Sequence, residues 1–211
     1  MTDNSFKRNS ADLARASYLP LSDAEKLLAT LGYTLDRQLS REDTMVVVDD
    51  RGQPTVIHRG SVTPRDWLVD DVLIAAGSNH ETQRLRRARQ ATLAAEAKCK
   101  TKSNAVGHSL GGRLAERAGS GGEIVTFNRA AGLGDLGLGR NQPSLNGTRQ
   151  TNVRTKWDAV SALSALNRRP DATQTVVVRQ RDQANRFLPG PIRFLANVAK
   201  SHSLKNLKTR K

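Results

Sequence analysis

Apolar and polar positions along the chain follow two different periodicities, which divide it into predicted strands and helices. Short runs rich in Val, Ile, Thr and Phe, bounded by Gly, Pro, Asn or Asp, predict β-strands. These runs are TMVVVDD (44–50), PTVIHRG (54–60), SNAVG (103–107), EIVTF (123–127), TNVRT (151–155) and TQTVVVR (173–179). Asp50-Arg51-Gly52 separates the first two runs and predicts a β-hairpin.

Other segments repeat apolar residues at steps of three and four, which predicts helices between the strands. Ser22-Asp23-Ala24-Glu25 has the pattern of a capping box and opens a helix that Gly32 closes. A second Ser-x-x-Glu box opens a helix over 78–100. The stripe predicted to be buried on it is Leu85, Ala88, Thr92, Ala95 and Cys99, with Arg84, Arg86, Arg87 and Lys98 toward water. Helices are also expected over 65–77, over 159–167 and at the start of 191–211.

Strands that alternate with helices predict an α/β fold with a mainly parallel central sheet and flanking helices. Residues 1–20 are polar and lack sustained periodicity, so we expect a flexible basic N-terminal arm that Pro20 ends. One domain over 21–204 and a basic tail over 205–211 complete the predicted organisation, which suits a chain of 211 residues.

Charge is the main bulk feature, because 34 Lys and Arg against 20 Asp and Glu give a net charge of +14. Such a charge predicts attraction to polyanions, either nucleic acid or anionic lipid head groups. Cys99 is the only cysteine, which excludes an intrachain disulfide and a Cys-based zinc site. We expect no metal or cofactor. No apolar run approaches the roughly 20 residues of a membrane span, and the N-terminus lacks the apolar core of a signal peptide. The expected location is therefore cytoplasmic or peripheral to a membrane.

The segment AVGHSLGGRLAERAG (105–119) contains Gly-x-Ser-x-Gly between a predicted strand and a predicted helix. The short motif is weak by itself, but this context is what a nucleophile elbow requires. Small residues on both sides allow a serine to adopt strained backbone angles with an exposed hydroxyl. Ser109 is therefore the candidate nucleophile.

A reactive serine needs a base and an acid, which α/β-hydrolases place after it in the order acid, then histidine. Of the four histidines only His202 follows Ser109. The aspartates considered as the acid are Asp135, Asp158, Asp171 and Asp182. Asp158 is favoured because it stands just past a predicted strand end, and Asp182 is the second candidate.

Four stretches together resemble the class 3, fungal-type lipase family. AVGHSLGGRLA is similar to its nucleophile segment, and VIHRGSVTPRDWLVDD to its Arg-Gly-Ser/Thr stretch with a following Asp-Trp or Asn-Trp pair. VRTKWDAVSAL resembles its acid segment, and SHSLKNL the stretch that carries its histidine. The motifs occur in the family's order over about residues 44 to 208. The resemblance implies a compact α/β-hydrolase.

The resemblance also implies roles for individual residues. Ser109 would be the nucleophile, His202 the general base and acid, and Asp158 the group that orients the imidazole. The oxyanion hole would use the backbone N–H groups of Leu110 and Ser61.

Four other side chains have expected roles. Trp67 belongs either to a lid or to the core. His108 is expected to be structural, and His58 to be packed or half-exposed. Arg59 is expected to support the oxyanion loop by pairing with Asp70 or Asp71.

The resemblance and the positive charge together predict a lipase or phospholipase-like hydrolase that acts on lipid esters at anionic membrane surfaces. Two alternatives stay open. One is a nucleic-acid-binding or virion-associated protein on a hydrolase scaffold, and the other is an esterase for small esters.

Overall fold

The structure, a computed structural model, describes residues 5–61, 79–119, 121–130, 149–155 and 173–178. Within these residues, helices flank one seven-stranded sheet. The helices are α1 (Ser5–Ala16), α2 (Leu21–Thr30), α3 (Asn79–Cys99) and α4 (Leu110–Ala118). The strands are β1 (Tyr33–Leu35), β2 (Thr44–Asp49), β3 (Pro54–His58), β4 (Asn104–His108), β5 (Ile124–Phe127), β6 (Gln150–Thr155) and β7 (Thr173–Val178).

The strands lie in the sheet in chain order, from β1 at one edge to β7 at the other. Pairs from β3 to β7 are parallel, whereas β1, β2 and β3 pair antiparallel. The prediction of a mainly parallel sheet is therefore confirmed only in part. The predicted hairpin is confirmed, since β2 and β3 are antiparallel neighbours and Thr44 pairs with His58. β1 was not predicted, because three residues are too few for a readable alternation.

Successive side chains of the strands point to opposite faces, and each face has its own core. Val47 and Ile57 pack in one cluster with residues of α1 and α2. Val46 and Val56 point the other way and pack with Ala95 of α3. Helix α4 covers the same second face through a cluster that it forms with β4 and β5. The described sheet is thus covered by helices on both faces.

The prediction of a flexible arm over residues 1–20 is wrong for residues 5 onward. Residues Ser5–Ala16 form α1, and Phe6 and Leu13 belong to the main core cluster. Apolar residues at 6, 13, 14 and 16 form one buried stripe, but the polar residues between them hide this pattern. Helix α1 therefore belongs to the folded domain, which starts well before residue 21.

The two helices predicted from capping boxes both exist. Helix α2 begins at Leu21 with Pro20 at the N-cap and no side-chain cap, so the prediction that Ser22 caps it is wrong. Gly32 closes it with φ +81°, as expected. Helix α3 agrees with its predicted span to one residue at each end. Arg84 departs from the prediction, because its guanidinium turns toward the sheet and donates to the carbonyl of Arg59.

Several predictions fall outside the described residues, namely the helices at 65–77 and 159–167 and the whole of 191–211 with its basic tail. Among the described helices, none combines the length and apolar character that crossing a membrane requires.

Candidate active site

Ser109 alone joins strand β4 to helix α4. Its backbone angles, φ 55° and ψ −124°, lie in the left-handed half of conformational space that a serine rarely adopts. Backbone hydrogen bonds hold it there: its N–H donates to the Phe127 carbonyl, and its carbonyl accepts from the Ala130 N–H, both at 3.0 Å. Such strain persists only where the surroundings over-determine it. The predicted strand-turn-helix context of the serine is confirmed.

The glycines on either side of Ser109 are required by close backbone contacts. A Cβ on Gly107 would overlap the backbone of Gly111 and lie 2.7 Å from the nitrogen of Gly112. A Cβ on Gly111 would overlap the carbonyl group of His58 at the end of β3. Only glycine therefore allows α4 to start this close to the ends of β3 and β4.

The side chain of Ser109 differs from the prediction in one respect. The sequence predicted an exposed hydroxyl, but the residue is 3% exposed and its Oγ is buried. Among the described residues Oγ has no hydrogen-bond partner. Asp158 and His202, the predicted acid and base, and Trp67, the lid candidate, lie outside the described residues, as does the alternative acid Asp182.

The loop after β3, Arg59-Gly60-Ser61, lies directly against the elbow, which contributes to the burial of the serine. A Cβ placed on Gly60 would be 3.1 Å from the Cβ of Ser109 and 2.7 Å from the His108 carbonyl oxygen. Leu110 is the first residue of α4, where N–H groups have no acceptor within the helix. The structure thus brings the two predicted oxyanion segments, at Ser61 and Leu110, to the same serine.

Tyr18 is a residue of this site that sequence reasoning missed. Its hydroxyl accepts a hydrogen bond from the Gly60 N–H at 2.9 Å and lies 2.9 Å from Nδ1 of His108. The Tyr18 and His108 rings also meet edge to face, 5.7 Å apart. Burial raises the pKa of Tyr18 to about 12, while the Gly60 N–H and nearby arginines act in the opposite direction. Tyr18 therefore stays neutral and links the Arg59-Gly60-Ser61 loop to His108, the residue before the elbow.

The sequence contains a faint signal for Tyr18. It follows the buried stripe of α1 directly, and a helix that packs on the sheet must place the residues after it near a strand end. His108, expected to be structural, is buried beside Tyr18.

His58 ends β3, directly before the Arg59-Gly60-Ser61 loop. It is fully buried, and both ring nitrogens lack hydrogen-bond partners among the described residues. Burial lowers its pKa to about 4; Asp43 opposes this shift and Arg84 adds to it. His58 is therefore a neutral packed side chain at neutral pH, one of the two environments expected for it.

Two ion pairs lie on segments next to the elbow. Arg59 pairs with Glu42 at 3.2 Å, whereas its predicted partners Asp70 and Asp71 lie outside the described residues. Behind the elbow, Arg129 and Glu116 form a buried ion pair at 3.0 Å that ties α4 to the segment after β5. Among the described residues no cluster of His, Cys, Asp or Glu has the composition of a metal site.

A strained serine between a strand of a parallel sheet segment and the following helix is typical of serine hydrolases with α/β folds. The chain is similar in fold to a fungal lipase whose structure was determined as a lipase-inhibitor complex and used to model interfacial activation. The TM-score is 0.51 at 15% identity, over 74% of this chain and 72% of that one. No protein-family model and no curated protein sequence matches the chain. The likeness therefore shows a lipase-like fold and no particular family.

Proposed function

We propose that this protein is a serine hydrolase that cleaves carboxylic esters of lipids, with Ser109 as its nucleophile. The observation that carries the proposal is the strained backbone of Ser109 at the end of β4, with the Gly60 loop packed against it. The lipase-like fold supports the same chemistry.

In the proposed reaction, Ser109 Oγ attacks the ester carbonyl carbon while His202 takes the hydroxyl proton and Asp158 holds the imidazole. Negative charge develops on the carbonyl oxygen, where the N–H groups of Leu110 and Ser61 donate. The alcohol leaves with the proton from His202. Water, deprotonated by His202, then attacks the acyl-enzyme, and His202 returns the proton to Ser109 Oγ as the fatty acid leaves.

Covalent labelling tests the nucleophile. A fluorophosphonate probe should react with the wild type, and peptide mapping should locate the label at Ser109. The Ser109→Ala variant should lose both the label and the hydrolysis of p-nitrophenyl acyl esters. Ser10→Ala is the matched control, because Ser10 is equally buried but its hydroxyl bonds the Lys7 carbonyl in α1. Label retained in Ser109→Ala, or mapped to another residue, would refute the assignment.

We also propose that the reaction takes place at anionic membrane surfaces, with the protein cytoplasmic or peripheral to the membrane and Trp67 in a lid. The net charge of +14 supports this location, since each basic residue near an anionic bilayer contributes about 1 kcal/mol. Hydrolysis should therefore be faster on anionic liposomes than on neutral ones. Equal rates would favour the alternative of an esterase for small esters.

The charge also supports a second candidate, a nucleic-acid-binding or virion-associated role on the same scaffold. Retention on DNA at a salt concentration that releases the protein from anionic liposomes would favour this candidate over the membrane.

A further inference from the structure

A cleft of about 810 Å³ opens beside the oxyanion loop. Its walls come from the segment 38–43 before β2, the Arg59-Gly60-Ser61 loop, and the side of α3 from Arg84 to Ala94. Among the described residues, four arginines line it, Arg41, Arg59, Arg84 and Arg87, against two carboxylates, Glu42 and Asp43. We call it the arginine cleft.

The four arginines fall into an inner pair, Arg59 and Arg84, and an outer pair, Arg41 and Arg87. Arg59 is paired with Glu42, and Arg84 lies 3.8 Å from Asp43, so the carboxylates of the cleft are matched by the inner pair. The outer pair is exposed.

Both outer arginines retain donors for a ligand. Among the described residues, the Arg41 side chain donates only to backbone carbonyls, those of Gln38 and Ser40. Arg87 has no hydrogen bond or ion pair among the described residues. A guanidinium carries five N–H donors in a planar fork that matches the oxygens of a phosphate. The excess positive charge of the cleft therefore sits where an anion can reach it.

The position of the cleft connects it to the proposed chemistry. Gly60 and Ser61 form part of its wall, and Gly60 packs against Ser109. A group held in the cleft therefore lies next to the place where an ester carbonyl would react. In a glycerophospholipid the phosphate and the acyl esters stand on the same glycerol, so one molecule spans both places. Leu39, Ala91 and Ala94 add apolar surface that suits the start of an acyl chain.

We propose that the arginine cleft binds the phosphate of a glycerophospholipid whose acyl ester lies at Ser109, with Arg41 and Arg87 as the phosphate-binding residues. This inference rests on the proposed ester hydrolase function. The volume of the cleft is that of a small-molecule site, which fits a lipid head group better than a nucleic-acid duplex.

The experiment compares a phosphate-bearing ester with a neutral one in solution. The substrates are dihexanoylphosphatidylglycerol, below its micelle concentration, and p-nitrophenyl butyrate. For Arg41→Gln and for Arg87→Gln, the ratio of kcat/KM for the phospholipid to kcat/KM for the neutral ester should fall about tenfold, mainly through KM. Arg89→Gln is the matched control, because Arg89 is exposed on the same helix but does not line the cleft. Its ratio should stay at the wild-type value.

The outcomes separate the two proposals. If the wild type hydrolyses neither ester, the proposed function fails. If Ser109-dependent hydrolysis occurs but Arg41→Gln and Arg87→Gln match Arg89→Gln, the cleft proposal alone is overturned.

Competition distinguishes the sources of phosphate. Glycerol 3-phosphate should inhibit phospholipid hydrolysis more strongly than inorganic phosphate, and Arg87→Gln should weaken that inhibition. Equal inhibition by the two compounds would mean that the cleft binds free phosphate rather than a lipid head group. A loss of DNA binding in Arg41→Gln and Arg87→Gln, without a change in the ratio of the two kcat/KM values, would mean that the cleft binds nucleic acid instead.

Discussion

Tyr18 holds two parts of the candidate site with one hydroxyl, because the Gly60 N–H and the His108 ring both reach it. Tyr18→Phe leaves the Gly60 N–H without its acceptor, so the Ser61 N–H next to it is held less firmly. We expect kcat for p-nitrophenyl esters to fall about tenfold with little change in KM, since in the proposed mechanism the loop donates to the oxyanion of the transition state.

Tyr33→Phe is the matched control for this prediction. It removes the same atom from a buried tyrosine of β1, at the far edge of the described sheet. A kcat that falls equally in both variants would mean a loss of folded protein rather than a loss of positioning.

His58 makes stability depend on pH. Its pKa is about 4 in the folded protein and about 6.5 in an unfolded chain, so the unfolded state binds more protons between these values. The free energy of unfolding therefore decreases as the pH falls from about 6.5, and the loss is complete below about 4. For one group this amounts to about 3 kcal/mol. His58→Leu removes this pH dependence, because the leucine side chain has no group that binds a proton.

Urea unfolding at pH 7, 5 and 4 measures the effect. The stability of His58→Leu relative to the wild type should increase steadily toward pH 4. A difference that stays constant with pH would show that His58 is not held neutral by the fold.

At the scale of elements, the start of α4 is fixed by backbone contacts with β3 and β4. Replacing a helical glycine by alanine normally stabilises by about 1 kcal/mol. Gly111→Ala should have the opposite sign, because the new Cβ overlaps the His58 carbonyl and pushes α4 away from β3. We expect a loss of about 3 kcal/mol in the free energy of unfolding, measured by urea denaturation, and weaker fluorophosphonate labelling of Ser109.

Gly112→Ala provides the graded control for Gly111→Ala. Its Cβ would meet neighbours at 3.2 Å and beyond, a tight contact that small shifts relieve. It should destabilise less than Gly111→Ala, and equal losses would contradict the contact with β3 as the cause.

The elements differ in how far the sequence predicts them, for a physical reason. The elbow is encoded locally: an apolar strand, small residues and a helix stand next to each other in the chain, so Ser109 was predictable. Tyr18 reaches His108 across 90 residues and Gly60 across 42, and no local pattern carries such contacts. Helix α1 was missed for a related reason, since its stability comes from packing on the sheet rather than from its own polar sequence.

The start of α2 shows a different limit. Ser22 has a favourable capping side chain, but Pro20 precedes it with a backbone, φ −52° and ψ 146°, that begins the helix earlier. Local preferences therefore predicted the existence of the helix more accurately than its first residue.

At the scale of the whole molecule, the effect of the net charge on membrane binding depends on where the basic residues lie. Arg86, Arg87 and Arg89 are neighbouring exposed residues of α3, the helix that forms one wall of the arginine cleft. Cations on this helix would approach an anionic surface together with the opening of the arginine cleft. The charge would then orient the protein as well as attract it.

Liposome binding tests this orientation. Replacing Arg86, Arg87 and Arg89 together by Gln should weaken binding to phosphatidylglycerol liposomes more than replacing Arg8, Lys26 and Lys100, three exposed cations outside α3. Each residue near the surface contributes about 1 kcal/mol, so the α3 variant should lose about 100-fold in affinity. The difference between the variants should shrink as salt rises, because the screening length falls to about 3 Å at 1 M. Equal losses in the two triple variants would mean that net charge alone brings the protein to the membrane, without a preferred face.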